Sequence, residues 1–191
     1  MVEKLLEFLD HVNPLSPALR ERLVRTIQYK FIEKKNYFLK ERQVSDKIAF
    51  LETGLFRCFY YIHDTDISSW FMKENDVVIS VKSFFKQVPS LECIQALEDS
   101  EIYFIKYREL QQIYQDFPEF ILTGKLVTEH YYVLSEERSF VMRSQKAHER
   151  YRYLMENYPE IVRRVPSKYI ASYLGISEVT LSTIKSRRLV Y

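Results

Sequence analysis

The segment from Val165 to Arg188 reads VPSKYIASYLGISEVTLSTIKSRR, and it decides how the C-terminal part of the chain folds. Apolar residues in it recur at helical spacing. Ile170 and Leu174 are four residues apart and share one face of a first helix, and Leu181 and Ile184 share a face of a second. The segment therefore predicts two short helices with apolar faces that meet in a common core.

The residues between the two helices have the properties of a tight turn. Ala171 is small enough for a second helix to cross closely, and Gly175 can take the left-handed conformation that ends a helix. Ile176 can fill the turn as a buried apolar residue, and Ser177 is a suitable N-cap for the second helix. These features together predict a helix-turn-helix, with a helical hairpin that has no role in DNA binding as the alternative.

The second helix predicts which side chains face a nucleic acid. A rotation of about 100° per residue points Val179, Ser182, Thr183 and Ser186 away from the core. Glu178 beside them suits acceptance of a hydrogen bond from a cytosine amino group or, equally, a helix-dipole role in the first turn. We expect the cations of this region to bind phosphates. The predicted DNA-contact residues are Ser167, Lys168, Tyr169, Ser177, Glu178, Val179, Ser182, Thr183, Lys185, Arg187 and Arg188.

Charge is unevenly distributed along the chain. The net charge of the 191 residues is +2, but residues 143–191 contain ten Lys and Arg against four Glu, a net charge of +6. The first 142 residues carry a net charge of −4, with 18 basic and 22 acidic residues. A basic C-terminal part indicates contact with nucleic acid, although a solvated helical surface is an equally good reading of charge alone.

The N-terminal part predicts helices followed by strands. Residues 1–28 have helical character interrupted by Pro14 and Pro17. After them come short runs rich in aromatic and branched residues, separated by polar clusters, and this pattern favours a β-sandwich or barrel. The runs are Phe31, Tyr37–Leu39, Ile48–Leu51, Leu55–Ile62, Ile67–Met72, Val77–Val81, Cys93–Leu97 and Ile102–Ile105.

A long helix is predicted over residues 118–145. Proline suits its first turn, and no further proline occurs until Pro159. Pairs of apolar residues recur at intervals of seven, so one member of each pair can face a partner helix while the other faces the barrel. We expect these six residues to form a dimer contact, with a solitary helix lying across the barrel as the alternative: Leu126, Val127, Val133, Leu134, Phe140 and Val141.

Composition argues against several classes of protein. The three glycines lie too far apart to form a phosphate-binding loop. Two cysteines, no long apolar run and an N-terminus without signal-peptide character predict a cytoplasmic location without a disulfide framework or membrane span. His63 is the one histidine in the strand region, and no HExxH or GxSxG motif occurs. We therefore expect no metal site, no cofactor and no enzymatic activity.

The chain resembles the Crp–Fnr superfamily of transcription regulators, the cyclic-AMP receptor protein type. The resemblance is carried by Ile48–Arg57, Ile94–Asp99 and Ile170–Lys185. It implies an α+β fold: a cyclic-nucleotide-binding-type β jelly-roll barrel (1–117), a dimerisation helix (118–145) and an all-α helix-turn-helix domain (146–191). It also implies a homodimer that binds DNA, with RNA polymerase as a candidate further partner.

The resemblance is weakest in the cyclic-nucleotide cassette. Where the family has a Gly-Glu pair at the ribose and an Arg-Ser pair at the phosphate, this chain aligns Ile79-Ser80 and Ser90-Leu91. A cyclic phosphate would meet neither a glycine turn nor a guanidinium, so we expect no cyclic AMP binding. The effector is unknown, and any effector is expected between the barrel and the long helix. The remaining alternative is a ligand-binding or protein-interaction module with little DNA specificity.

Overall fold

In the computed structural model, which describes residues 2–187, two helices precede the strands. They are α1 (Glu3–Val12) and α2 (Pro17–Thr26), separated at the prolines as predicted. Ser16 caps α2, since its Oγ accepts a hydrogen bond from the backbone N–H of Leu19 at 3.3 Å.

The strands within residues 2–187 form two antiparallel four-stranded sheets. Sheet A has the order β1-β8-β3-β6 and sheet B the order β2-β7-β4-β5, which is a jelly-roll arrangement. The bounds are β1 (Gln28–Ile32), β2 (Tyr37–Leu39), β3 (Lys47–Thr53), β4 (Phe56–Ile62), β5 (Thr65–Met72), β6 (Val77–Val78), β7 (Cys93–Ala96) and β8 (Ser100–Lys106). Each predicted strand run contributes to one of them.

Several strand boundaries differ from the prediction by one to three residues, and one predicted strand run ends in a helix. The run Val77–Val81 ends as a strand after Val78, and Val81 begins a short helix, α3 (Val81–Lys86). Helical geometry leaves Val81 exposed but buries Phe84 completely, in the cluster that joins the N-terminal helices to the barrel. Burial of this aromatic ring outweighs the β-propensity of the valines.

Apolar residues fill both the inside of the sandwich and one outer face. Inside, a core that includes Leu51, Phe56 and Ile102 packs between the sheets. Outside sheet A, Phe50 and Tyr103 pack against α1. The N-terminal helices are therefore held against the sheet that also faces the long helix.

Six helices follow β8 within the described residues. They are α4 (Tyr107–Asp116), α5 (Glu119–Ser144), α6 (Ala147–Asn157), α7 (Pro159–Arg164), α8 (Ser167–Leu174) and α9 (Glu178–Arg187). At 26 residues, α5 is about 39 Å long, close to the predicted length. No helix within residues 2–187 is long and apolar enough to cross a membrane.

Candidate nucleic-acid interface

The turn between α8 and α9 has the predicted geometry. Gly175 ends α8 in the left-handed conformation, with φ of +65°. The N–H of Ile176 donates to the carbonyl of Ala171 at 3.0 Å, which closes the turn. The Oγ of Ser177 accepts from the N–H of Thr180 at 3.1 Å, so Ser177 caps α9 as expected.

The inner faces of the two helices meet in a shared core. Ile170, Ala171, Leu174 and Leu181 are all almost completely buried, and Ile184 packs against them. The small side chain of Ala171 lies where the helices approach, which agrees with its predicted role. The helix-turn-helix geometry predicted from the apolar spacing is thus present.

Within residues 2–187, the outer face of α9 is exposed and mostly polar. Val179 is 76% exposed, and Glu178, Ser182, Thr183 and Ser186 are also exposed. The hydroxyl of Thr183 donates to the carbonyl of Val179 at 3.0 Å, and its oxygen keeps a lone pair that can accept. This face has the accessibility that insertion into a groove requires.

Cations lie beside the C-terminal half of this face. Lys168 is exposed at the start of α8, and the Nζ of Lys185 donates to the Oγ of Ser167 at 2.9 Å, so it is held close to α8. Arg187 is the last residue of α9, and Arg188 lies outside the described residues.

Tyr169, predicted as a DNA contact, faces the barrel. Its ring lies 3.7 Å from the guanidinium carbon of Arg57 in β4. The guanidinium of Arg57 is also 3.9 Å from the ring of Phe59 and pairs with Asp66 through two hydrogen bonds of 2.8 and 3.3 Å. Arg57 is 1% exposed, so Tyr169 covers a buried cation.

Further contacts attach the helix-turn-helix to sheet B. The N–H of Ser68 in β5 donates to the Oγ of Ser172 in α8 at 3.0 Å, and that hydroxyl donates to the carbonyl of Asp66 at 3.2 Å. The apolar core of the C-terminal helices also includes Leu55 and Phe71 of the barrel region. Barrel and helix-turn-helix consequently share one continuous packed junction.

Arg164 at the end of α7 is the ionic centre of this junction. It donates to Glu74 at 2.7 and 2.9 Å, to Glu98 at 2.6 and 3.1 Å and to the carbonyl of Gly54 at 2.9 Å. Burial alone would raise the pKa of Glu74, but hydrogen bonds from Arg164 and the Gly54 N–H outweigh it and lower that pKa to about 2. Arg164 is therefore engaged within the chain, although its charge contributes to the basic composition of this region.

The sequence analysis missed the roles of Arg57 and Arg164. One available signal was a lone arginine inside the apolar run Phe56–Phe59. A charged residue in such a run is rarely buried without a partner, so this pattern indicates that another element covers it.

The apolar pairs of α5 divide between an inner and an outer face. Phe140 is 68% and Val133 54% exposed, whereas Val141 is 4% exposed and Leu134 is half-buried. Leu126 and Val127 are both half-buried. Within the chain, the two outer residues lie one heptad apart and form an uncovered apolar stripe.

The region aligned with the cyclic-nucleotide cassette contains an internal carboxylate. The Oγ of Ser80 donates to Oε1 of Glu92 at 2.7 Å, and the Sγ of Cys58 donates to Oε2 at 2.8 Å. Ser90 Oγ donates to the main-chain oxygen of Glu92 at 2.9 Å. The adjoining cavity of about 430 Å³ is thus bordered by a carboxylate, and Leu91 beside it is 69% exposed.

Several solved structures have an architecture similar to that of this chain. The c-di-GMP-responsive global regulator CLP of Xanthomonas campestris is 12% identical, with a TM-score of 0.71 and coverage of 92% of each chain. The chain has the fold of the Crp–Fnr regulators. This likeness rests on structure, because no protein-family model and no curated protein matches the sequence.

Two further Crp–Fnr-fold structures show the same likeness. FixK2 of Bradyrhizobium japonicum is 18% identical, with a TM-score of 0.67, covering 85% of this chain and 84% of that one. A CooA variant from Carboxydothermus hydrogenoformans is 18% identical, with a TM-score of 0.65, covering 94% of this chain and 83% of that one. The likeness spans barrel, long helix and C-terminal helices.

Proposed function

We propose that the chain is a dimeric, sequence-specific DNA-binding transcription regulator of the Crp–Fnr type that does not respond to cyclic AMP. The observation that carries this proposal is the exposed polar face of α9, presented by a capped helix-turn-helix on a Crp–Fnr fold. We assign residues 1–117 to a sensor barrel, 118–145 to a dimerisation helix and 146–191 to the DNA-binding domain, and we expect the protein to act in the cytoplasm.

The proposed DNA-contact residues divide into those that read bases and those that bind phosphates, according to their chemistry and exposure. Glu178 begins α9 and Thr183 lies near its middle, and both are on the exposed face. Recognition helices contact base edges mainly through their N-terminal residues. Lys168 and Lys185 lie beside that face, and we assign them phosphate contacts together with Arg187 and Arg188. Tyr169 is reassigned from DNA contact to the junction with the barrel, because its ring covers Arg57.

Dimerisation is supported by the apolar stripe of α5. Val133 and Phe140 are apolar, exposed and one heptad apart, which is the spacing of a helix–helix seam. A second copy of α5 would cover them and would place two α9 helices on one duplex. The DNA target is then a near-palindrome with half-sites about 34 Å apart.

Insensitivity to cyclic AMP is supported by Glu92. A cyclic phosphate entering the cassette would approach this carboxylate, and repulsion between like charges in a partly buried site is unfavourable. The hydroxyl of Ser80 is also already committed to Glu92. The cavity beside it is lined by two carboxylates, Glu41 and Glu92, and one cation, Lys82, so the charges around it are net negative.

The experiment that tests the proposal is binding of the intact protein to duplex DNA across a range of salt concentrations. A regulator should bind any duplex at low salt and retain a subset of sequences at higher salt. A protein-interaction module, the alternative, would show no measurable affinity for any duplex.

A further inference from the structure

A second cavity, of about 420 Å³, lies outside the jelly roll, on the outer face of sheet A. Ile48, Phe50, Tyr103 and Ile105 form its floor, and helices α1, α4 and α5 form its walls. Helix α3 lies between this cavity and the cassette, since Phe84 and Phe85 line the former while Lys82 and Ser83 line the latter. The two cavities are therefore separate sites.

The lining of this cavity is apolar and aromatic on every side except one. Rings from eight residues contribute to it: Phe8, Phe50, Phe84, Phe85, Tyr103, Phe104, Tyr114 and Phe120. The charged residues and the threonines of the lining all come from α5. They are Thr123, Lys125, Thr128 and Glu129. A ligand that matches this distribution is apolar along its length and polar at the end that reaches α5.

The polar groups on α5 favour an acidic end group. Lys125 is the one cation among the lining residues, and it pairs with Glu129 at 3.0 Å. Both side chains are more than half exposed, and ion pairs of this exposed kind contribute little. A ligand carboxylate can consequently replace Glu129 as the partner of Lys125.

We propose that this cavity binds a long-chain monocarboxylic acid, with the acyl chain on the aromatic lining and the carboxylate at Lys125. A volume of 420 Å³ lies within the range of small-molecule sites, and at protein packing density it accommodates a chain of roughly sixteen carbons. Each methylene that enters the cavity is expected to tighten binding roughly threefold to fourfold until the cavity is full.

The test is a titration of the intact protein with cis-parinaric acid, a fluorescent fatty acid, followed by displacement with saturated acids of increasing length. We expect one saturable site per chain and tighter displacement with each added methylene. The methyl esters should displace less well than the acids, and Lys125→Ala should weaken binding of the acids about threefold to tenfold while leaving the esters unchanged.

Two variants of α1 separate binding in the cavity from adsorption to the surface. Leu9 lines the cavity, so Leu9→Trp fills part of it and should weaken binding at least tenfold. Glu7 is exposed on the same helix, so Glu7→Trp is the matched control and should bind like the parent. Thermal unfolding of both variants verifies that they are folded.

Absence of saturable binding, or equal binding by Leu9→Trp and the parent, would overturn the proposed site. Equal displacement by acids and esters would overturn the carboxylate contact with Lys125. None of these measurements involves DNA, so their failure is distinct from failure of the proposed regulator function.

Discussion

Arg57 of the barrel and Tyr169 of the helix-turn-helix form a buried cation–π contact, with 3.7 Å between guanidinium carbon and ring centre. Because Arg57 is 1% exposed and pairs with Asp66, this contact joins the two parts of the chain through a desolvated charge. The contact attaches the helix-turn-helix to strand β4 of the barrel.

We predict that Arg57→Ala destabilises the protein by about 3 kcal/mol, since removing a fully buried side chain between the Phe59 and Tyr169 rings leaves a cavity. Tyr169→Ala should cost about 2 kcal/mol by removing the ring from a desolvated cation. Tyr169→Phe keeps the ring and is the matched control, with a change under about 0.5 kcal/mol. Urea unfolding measures all three, and equal losses for the Ala and Phe variants would show that the ring contact contributes nothing.

The ion pair between Arg164 and Glu74 predicts that the folded protein loses stability in acid. The pKa of Glu74 is lowered from 4.5 to about 2 in the folded chain, so its contribution is complete above about pH 4.5 and disappears as the pH falls toward 2. We expect Glu74→Gln to be less stable than the parent at neutral pH and to lose less stability on acidification.

The control for this measurement is Glu33→Gln, which changes an exposed carboxyl in the turn after β1. Its urea midpoint should fall between about pH 5 and pH 2 as steeply as that of the parent. If Glu74→Gln shows this same slope, the ion pair with Arg164 is not a source of the acid sensitivity.

The outer stripe of α5 predicts which substitutions break the dimer. Val133→Glu combined with Phe140→Glu places two charges in the exposed seam and should give monomers in sedimentation analysis. Ser135 is exposed on the same helix outside the stripe, so Ser135→Glu should remain dimeric. A dimer that survives both seam substitutions would contradict the assignment of α5.

The carboxylate in the cassette predicts that cyclic AMP does not bind with micromolar affinity. Glu92 accepts hydrogen bonds from Ser80 and Cys58 in the region where a phosphate would need donors. Calorimetric titration should give no saturable heat, and one tight site per chain would contradict this reading.

Features encoded by neighbouring residues were predictable from the sequence. The helix-turn-helix depends on Gly175, Ser177 and apolar residues within a few turns of them, and the strands depend on short runs of branched and aromatic residues. Such signals are local, and the structure confirms them. The short helix at Val81 was not predicted because its benefit, the burial of Phe84, comes from residues distant in the chain.

The junction between barrel and helix-turn-helix was not predictable for the same reason. Arg164 pairs with Glu74 and Arg57 is covered by Tyr169, both far away along the chain, and no periodicity identifies such contacts. The apolar pairs of α5 were also ambiguous, since both members of each pair are apolar. Only packing reveals that Val141 faces inward and Phe140 outward.

Substitutions in the helix-turn-helix should separate base reading from phosphate contact. Lys168→Ala should weaken binding similarly on all duplexes and reduce the slope of affinity against salt by about one unit. Glu178→Ala should instead change which bases are preferred. If Lys168→Ala alters the preferred bases while Glu178→Ala leaves them unchanged, the assignment of the two residues is wrong.

Sequence-specific DNA binding is the central claim, and a binding selection on randomised duplexes tests it most directly. The intact protein should enrich a near-palindromic sequence with half-sites about 34 Å apart, as expected for two α9 helices in successive major grooves. A selection that enriches no sequence, together with no binding to any duplex at low salt, would contradict the account.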